Sequence, residues 1–271
     1  LGGKVRDKVV CYPHNVGHAM EVDSLVESCL QTKEEGWKFV RWGLPQNGDI
    51  LEPRQSVLAA IKQFEAVIEA VGDEIELTFD VHTRLDLPDV VWLCREIEWT
   101  RPFFIEDPLR SENPNSFKTL RPRTHVPLAA GEQFSSKWEF RELVEEEWID
   151  YGRIDLCIAG GITEARKIAG WCETHYIKLA VHNPLGPVSS AACLQLNMAT
   201  PNFGVQEQPR KPIDILPDDP PVQATWEDGY LIPTDLPGLG IEFDREAAKK
   251  RPFQQRELPT LRRLDGSFTN W

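Results

Sequence analysis

Three acidic residues follow strand-like runs at equal intervals along this chain. Asp80 ends ELTFD, Glu106 follows PFFI and Glu132 follows PLAAG, and each lies 26 residues from the next. That interval accommodates one strand, one helix and two short connections, so we expect the three carboxylates at the C-terminal ends of adjacent parallel strands. Converging carboxylates repel one another unless a cation lies between them, and an all-oxygen ligand set favours Mg²⁺. The alternative is that each acid only caps the helix that follows it.

The rest of the chain repeats this alternation of strand and helix. Eight apolar runs bounded by polar, Gly or Pro residues are candidate strands, and most of them are separated by segments with apolar residues at three- and four-residue spacing. The pattern predicts an α/β fold, a TIM-type (β/α) barrel with active groups on the loops after the strands. After Gln208 the proline-rich PRKPIDILPDDPPVQ breaks the alternation. We therefore predict a barrel catalytic domain over residues 1–208 and an irregular C-terminal tail over 209–271, packed on the barrel.

The composition limits the classes of partner. The chain has 271 residues, with 30 Lys and Arg against 43 Asp and Glu and a net charge of −13. Without a basic cluster, nucleic-acid binding lacks its electrostatic basis. No apolar run approaches the roughly 18 residues of a membrane span, and no signal segment opens the chain. We therefore expect a cytoplasmic protein without nucleic acid or membrane partners, which acts on a small molecule and forms a homo-oligomer.

Two histidines and a further acid fall in the same ring of strand ends. His82 stands two residues after Asp80, so in an extended segment both side chains leave the same face of the strand. His182 ends the seventh run, LAVH, where it is placed for acid–base work on a metal-bound substrate. Asp155 ends the sixth run, beside His182, and an Asp–His pair fixes the imidazole tautomer and raises its basicity. Either histidine taken alone is more readily explained as a surface or core residue.

Three basic residues near strand ends are candidates for substrate binding. His14 follows the first strand, Arg41 follows the second and Arg84 follows His82. Each could contact a substrate hydroxyl or carboxylate group, as arginine does in bidentate form. Ordinary solvation of a loop explains each of them equally well.

Six short motifs occur in order at barrel-like spacing, namely DVH, IEDP, AAGEQF, DLCIAGGITEARKIA, HNPLGP and VQEQ. Together they resemble the enolase superfamily, in its branch of mandelate racemase-like acid-sugar dehydratases of the galactonate dehydratase type. Near the C-terminus, GLGIEFDREAAKKRPF and RRLDGSFTNW resemble the mannonate dehydratase group of the same superfamily. The similarity extends over the whole chain.

The resemblance implies a metal cofactor and a reaction. Asp80, Glu106 and Glu132 match the three Mg²⁺ ligands of the family. The metal would hold the substrate carboxylate and stabilise the enediolate that forms when the α-proton leaves. The implied reaction removes water from a sugar acid of the galactonate, mannonate or gluconate kind and gives a 2-keto-3-deoxy acid.

The resemblance also implies acid–base roles. His182, paired with Asp155, matches the base that takes the α-proton. His82 matches the acid that protonates the departing β-hydroxyl group, and Glu207 matches the carboxyl group that hydrogen-bonds the substrate carboxylate.

Departures from the family pattern leave alternatives open. Racemases of the superfamily carry a KxK pair on the second strand, and the matching residues here are Arg41, Trp42 and Gly43, which disfavours two-base racemisation. Mannonate dehydratases generally take their base from a longer loop than residues 45–53.

We also expect that the N-terminal capping domain of such relatives is absent from this sequence, which is either a fragment or a protein that has lost it. The competing functions are a catalytically silent barrel with a structural or regulatory role, and an epimerase or cycloisomerase of the same superfamily.

Overall fold

Eight parallel strands form one curled sheet in the computed structural model of the chain, which describes residues 1–15, 17–216, 222–255, 257–258 and 260–269. The strands are β1 (Val9–Tyr12), β2 (Phe39–Gly43), β3 (Glu76–Asp80), β4 (Phe104–Glu106), β5 (Leu128–Ala130), β6 (Tyr151–Gly152), β7 (Lys178–Val181) and β8 (Phe203–Glu207). Their hydrogen-bonded order runs from β2 in sequence to β8 and then to β1. The predicted α/β barrel is confirmed.

One helix follows each of the first seven strands. These helices are α1 (Val22–Glu34), α2 (Pro53–Val71), α3 (Leu87–Ile97), α4 (Ser116–Leu120), α5 (Lys137–Glu145), α6 (Gly161–Thr174) and α7 (Pro187–Ala199). The described residues contain no helix that is both long and apolar enough to cross a membrane.

Side chains on the inner face of the sheet change from apolar to charged along β2 and β4. Phe39 and Phe104 lie in one buried apolar cluster inside the barrel. Two residues further along the same strands stand Arg41 and Glu106, which are also buried. Because side chains two residues apart share a face of a strand, both kinds of residue point inward. The barrel is therefore closed by apolar packing at the N-terminal ends of its strands and carries its charges at the C-terminal ends.

The outer face of the sheet packs against the helices through a larger core. Trp42 on β2 lies 4.7 Å from the ring centre of Phe64 on α2 and 5.5 Å from that of Phe79 on β3. Phe64 and Phe79 are themselves 5.1 Å apart. Packed aromatic rings of this kind contribute stability beyond the area they bury, and here they fix α2 on the strands that carry Arg41 and Asp80.

The sixth strand ends before Asp155 rather than at it, contrary to the sequence-based expectation. Asp155 lies three residues after β6, in an isolated backbone bridge with His182. Its Oδ1 accepts hydrogen bonds from the backbone N–H groups of Cys157 at 2.6 Å and Ile158 at 3.1 Å. An aspartate that bonds the backbone two and three residues ahead forms a local turn, and this turn ends the extended segment.

The segment after Gln208, predicted as an irregular tail, contains two strands and a short helix. Strands β9 (Thr225–Glu227) and β10 (Tyr230–Ile232) pair as an antiparallel hairpin, and β10 also pairs antiparallel with β1. Helix α8 (Arg245–Lys249) begins at Asp244, whose side chain accepts two backbone N–H groups of the first turn. The hairpin thereby joins the C-terminal segment to the first barrel strand. The domain boundary at residue 208 remains a prediction.

Asn15 bridges the seam between the first and second strands. Its backbone N–H donates to the carbonyl oxygen of Arg41, and its Oδ1 accepts from the backbone N–H of Arg41, both at 2.9 Å. Its side-chain nitrogen donates to Oγ1 of Thr32 at 2.6 Å and to Oγ of Ser28 at 3.0 Å, both on α1. One asparagine therefore ties together β2, α1 and the loop that follows β1.

We expect Asn15→Ala to lower the free energy of unfolding by about 1–3 kcal/mol, because the backbone N–H of the buried Arg41 loses its acceptor. Asn115→Ala is the matched control, since Asn115 is exposed and its side chain makes no capping hydrogen bond at the start of α4. The control should stay within about 0.5 kcal/mol of the parent in denaturant unfolding. Equal and small effects of the two substitutions would contradict this account of the seam.

Candidate active site

The predicted carboxylates lie at the C-terminal ends of three neighbouring strands. Asp80 and Glu106 are paired in register as the last residues of β3 and β4. Glu132 stands two residues beyond the end of β5. All three side chains are buried, with Glu132 the most exposed at 7%.

Arg41 links the first two carboxylates. Its Nη2 lies 2.7 Å from Oδ2 of Asp80 and 2.6 Å from Oε1 of Glu106. Burial acts to raise the pKa of Asp80, but the charge of Arg41 and the charge and hydrogen bond of His82 together outweigh it and hold that pKa well below its ordinary value. In the structure the guanidinium of Arg41 contacts these two acids, and its contact with substrate stays a prediction.

A second arginine, Arg153, lies at the centre of the charged layer and is fully buried. Its guanidinium contacts four carboxylates and one phenol: Glu106 Oε2 at 2.8 Å, Asp107 Oδ2 at 3.1 Å, Glu132 Oε2 at 2.9 Å, Glu207 Oε2 at 3.2 Å and the hydroxyl oxygen of Tyr12 at 2.6 Å. The Tyr12 hydroxyl in turn donates to Glu106 Oε2 at 3.0 Å. Arg153 therefore positions four acids that come from the ends of three strands, β4, β5 and β8.

The charged layer holds more buried acids than buried arginines. The buried acids are Asp80, Glu106, Asp107, Glu132, Asp155 and Glu207, and the buried arginines are Arg41, Arg84 and Arg153. These are all the buried acids and arginines of the described residues. Burial and the neighbouring Glu132 raise the pKa of Asp107 well above its ordinary value, which is one response to this crowding. The carboxyl groups that outnumber the buried arginines offer the oxygen donors that fit a hard divalent cation such as Mg²⁺.

His182 and Asp155 form a hydrogen-bonded pair. Nδ1 of His182 donates to Oδ2 of Asp155 at 2.7 Å. Nε2 then faces the carboxylates, 3.5 Å from Oε2 of Glu132 and 3.9 Å from Oε2 of Glu207. Burial disfavours the charged ring, but Glu207 and the hydrogen bond to Asp155 raise the pKa of His182. The pair leaves one basic nitrogen directed at the centre of the site.

His82 lies beside Asp80, although the backbone between them is not the extended segment that the sequence suggested. His82 has a φ of 52°, in the left-handed region, because its backbone N–H turns back to donate to Oδ1 of Asp80 at 2.7 Å. Its Nδ1 lies 3.3 Å from Oδ2 of the same carboxylate. Burial opposes the charged ring, but Asp80 raises the pKa of His82 above its ordinary value. Such a histidine favours its protonated form.

Glu207, the last residue of β8, joins the His182 side of the site to the first strand. Its Oε1 lies 2.6 Å from Nε2 of His14, and its Oε2 accepts from the backbone N–H of Asn183 at 2.9 Å. The structure thus brings His14 to the edge of the site. Arg84 is buried as well, and its Nη1 donates to Oε1 of Gln46 at 2.7 Å in the loop after β2.

Several residues of the site were not selected from the sequence. They are Tyr12, His18, Asp107, Arg153 and Asn183. Arg153 could have been selected from the sequence, because it lies two positions before Asp155 and such residues share a face of an extended segment. His18 had none, since it lies in the loop between β1 and α1, and burial together with Arg84 lowers its pKa to about 4.

Two histidines and one acid form a close group of potential metal ligands. Among the described residues, His18, Asp80 and His82 each offer one ligand atom within 4.8 Å of the other two. Asp80, Glu106 and Glu132 do not form such a group, because Arg41 and Arg153 lie between them.

Comparisons with known proteins identify the family. Residues 24–248 match the family model described as enolase C-terminal domain-like. The chain is 34% identical to a D-mannonate dehydratase of Caulobacter vibrioides, over an alignment that covers 100% of this chain and 73% of that protein. It is 33% identical to a D-galactonate dehydratase family member of Halomonas elongata, with the same shares covered.

Solved structures show the same barrel. An enolase from Pantoea ananatis with bound D-gluconate and Mg superposes with a TM-score of 0.89 at 26% identity, covering 99% of this chain and 72% of the other. A putative galactarate dehydratase from Agrobacterium radiobacter with bound Na and L-malate gives a TM-score of 0.87 with the same identity and coverage. The family model, the relatives that align over the whole chain and the shared barrel lead to one conclusion. The chain belongs to the enolase superfamily, among the relatives of galactonate and mannonate dehydratases.

Proposed function

We propose that this chain is a Mg²⁺-dependent acid-sugar dehydratase, which removes water from a galactonate-, mannonate- or gluconate-like acid to give a 2-keto-3-deoxy acid. The observation that carries the proposal is the pairing of His182 with Asp155, which directs a basic nitrogen at the buried carboxylates. A second histidine, His82, lies against Asp80 in the same ring. A base and an acid around one charged centre are what an elimination requires.

Asp80, Glu106 and Glu132 would hold the cation. Their oxygens are the donors that Mg²⁺ prefers, and the excess of buried acids over buried arginines favours a divalent ion. When bound, the ion would supply positive charge that favours a substrate carboxylate and the negative charge that develops on it. For the cation to bind, Nη2 of Arg41 would have to move away from one or both of its contacts with Asp80 and Glu106.

His182 would take the α-proton of the substrate. Asp155 fixes the ring with Nδ1 as the donor, so that Nε2 carries the lone pair. The surrounding acids favour the protonated ring, and a divalent cation among them would oppose that effect and favour the neutral base. The Asp155 carboxylate then stabilises the imidazolium that forms on proton transfer.

His82 would protonate the leaving hydroxyl group. Asp80 raises the pKa of this ring, which favours the protonated form that an acid requires. His182 takes the α-proton and a different residue, His82, gives a proton to the hydroxyl group, so the two steps can be separated by substitution. Glu207 is held by Arg153 and by the backbone N–H of Asn183. Burial acts to raise its pKa, but His182 and Arg153 hold that pKa well below its ordinary value, so the ionised group would accept a hydrogen bond from a substrate hydroxyl group.

The relatives support the substrate class but differ among themselves. Their names refer to mannonate and galactonate, and the solved relatives contain D-gluconate or L-malate. We therefore propose the class of sugar acid and leave its stereochemistry to experiment. Incubating the protein and Mg²⁺ with a panel of aldonic and aldaric acids, followed by a colour assay for 2-keto-3-deoxy acids, tests the proposal. No product from any member of the panel would favour the silent barrel.

We expect Mg²⁺ to stabilise the fold, by about 2.7 kcal/mol at a concentration 100 times its dissociation constant. Glu132→Gln should remove most of this gain, because it deletes one anionic ligand. Glu145→Gln is the control, since Glu145 is exposed at the C-terminal end of α5. Thermal unfolding with and without Mg²⁺ gives the result. A gain that survives in Glu132→Gln would remove Glu132 from the ligand set.

We expect His182→Asn to abolish exchange of the substrate α-proton with solvent deuterium, because the neutral amide cannot accept a proton. His125→Asn, at an exposed position, serves as the control and should exchange normally. Proton NMR of an accepted acid in D₂O measures the exchange. Persistent exchange in His182→Asn would assign the base to another residue.

For His82→Asn we expect dehydration to slow by about 10²–10⁴-fold while some α-proton exchange continues, because general acid catalysis acts only after the α-proton has left. The same NMR experiment and the colour assay give both quantities on one sample. Dehydration at a near-normal rate would take His82 out of the mechanism. Simultaneous loss of exchange would indicate that His82 only supports Asp80.

A further inference from the structure

We propose that His18, Asp80 and His82 form a second cation site that takes a divalent transition metal such as Zn²⁺, Ni²⁺ or Co²⁺. The site lies beside the three carboxylates and shares Asp80 with them. One ligand atom from each of its three residues lies within 4.8 Å of the other two. Metal–nitrogen and metal–oxygen distances of about 2.0–2.2 Å are then reached by small side-chain movements.

His18 is held in place by the strand beside it. Its Nδ1 donates to the carbonyl oxygen of Leu44 at 3.0 Å. A backbone carbonyl on one imidazole nitrogen fixes the tautomer and leaves the lone pair on the other, as is usual for histidines that bind metals. Nε2 of His18 is therefore the nitrogen available to a cation.

Gly43 makes room for this imidazole. A Cβ atom at position 43 would lie 2.2 Å from Nδ1 of His18 and 2.3 Å from its Cε1, which no structure tolerates. The ring therefore fills the space that a side chain on the last residue of β2 would take. His18 is thus built into the inner face of the site, although it comes from a loop.

His82 is held with equal precision on the other side of Asp80. Its backbone N–H binds Oδ1 of Asp80, and its Nδ1 lies 3.3 Å from Oδ2. That separation matches the distance between two ligands of a tetrahedral ion, about 3.3 Å for bonds of 2.0–2.1 Å. The rings of His18 and His82 have their centres 6.0 Å apart, which leaves space between them.

The donor set selects among metals. Two imidazole nitrogens and one carboxylate suit Zn²⁺, Ni²⁺ and Co²⁺, whereas Mg²⁺ prefers oxygen. Arg41 bonds Asp80, and Arg84 lies close enough to weaken the charged form of His18, so both oppose a cation. Metals that bind imidazole strongly can overcome this opposition, and the weaker nitrogen binder Mg²⁺ cannot. Three protein ligands also leave a coordination position open.

Occupation of this site has a consequence that rests on the proposed function. A metal bound to His82 would remove the proton donor of the dehydration and would engage Asp80, a ligand of Mg²⁺. Transition metals should therefore inhibit turnover even when Mg²⁺ is in excess. The shared aspartate makes the two cations antagonists.

The test is metal binding by the metal-free chain, measured independently of catalysis. We expect Co²⁺ to give visible absorption bands of a nitrogen-bound ion, and Zn²⁺ to displace it. His18→Gln should weaken Zn²⁺ binding at least about tenfold, whereas His175→Gln, on the loop before β7, should leave it unchanged. The stabilisation by Mg²⁺ should be the same in His18→Gln as in the parent.

Gly43→Ala provides a second test that keeps the histidine. The added methyl group must displace the ring, so it should weaken Zn²⁺ binding in the same direction. Circular dichroism and the Mg²⁺-dependent melting temperature show whether either variant is folded. Unchanged Zn²⁺ affinity in a folded His18→Gln protein would overturn the proposal.

The outcomes also separate this site from the proposed activity. His18-dependent Zn²⁺ binding by a protein that dehydrates no sugar acid would support the second site and contradict the proposed function. Mg²⁺-dependent dehydration that Zn²⁺ inhibits equally in the parent and in His18→Gln would support the proposed function and contradict the second site.

Discussion

The C-terminal end of this barrel depends on the buried guanidinium of Arg153. Acids from β4, β8 and the segments after β4 and β5 meet around it, and Tyr12 from β1 completes the contacts. Removing one partner of a buried ion pair typically costs about 3–5 kcal/mol, because the remaining charge is left without compensation. With several acids relying on one arginine, this group determines the relative positions of the carboxylates that would bind metal and substrate. Its rigid, planar fork suits this role better than the flexible ammonium of lysine would.

The position of these charges follows from the period of a strand. Apolar inward residues fill the N-terminal part of the barrel, and the next inward residues carry charge. The apolar layer excludes water from below, and exclusion of water strengthens each electrostatic interaction above it. The same exclusion makes the excess of negative charge costly. A site of this kind is poised to bind a cation because its neutralisation by arginine is incomplete.

Much of this arrangement could be predicted from the sequence. The equal spacing of Asp80, Glu106 and Glu132 predicted strand ends in one barrel, and Asp80 and Glu106 are the terminal residues of β3 and β4. Spacing alone did not show that Arg41 and Arg153 lie between these acids, because a sequence does not reveal how far a long side chain reaches across a barrel. Whether the side chains of Arg41 and Arg153 point into the barrel depends on where each strand begins and ends, and the sequence does not determine those boundaries.

Loops were the least predictable part. The strand before Asp155 ends early because of a turn built by that side chain, and His82 adopts a left-handed backbone that no local pattern required. His18 reaches the site because Gly43 leaves space, a relation between a loop and a strand 25 positions apart in the sequence. Hydrophobic periodicity reveals helices and strands, whereas these three positions depend on one or two local hydrogen bonds or on the missing side chain of a glycine.

The pairing of β10 with β1 links the C-terminal segment to the chemistry of the barrel. β1 bonds β8 through its last residues and β10 through its first, and Tyr12 at its end donates to Glu106. Local opening of a protein proceeds in contiguous cooperative units. Detachment of the hairpin would free one side of β1 and loosen the phenol that holds Glu106. The backbone amides that bond β1 to β10 should therefore exchange with one common free energy of opening, and the C-terminal segment becomes part of the stability of the active site rather than an appendage to it.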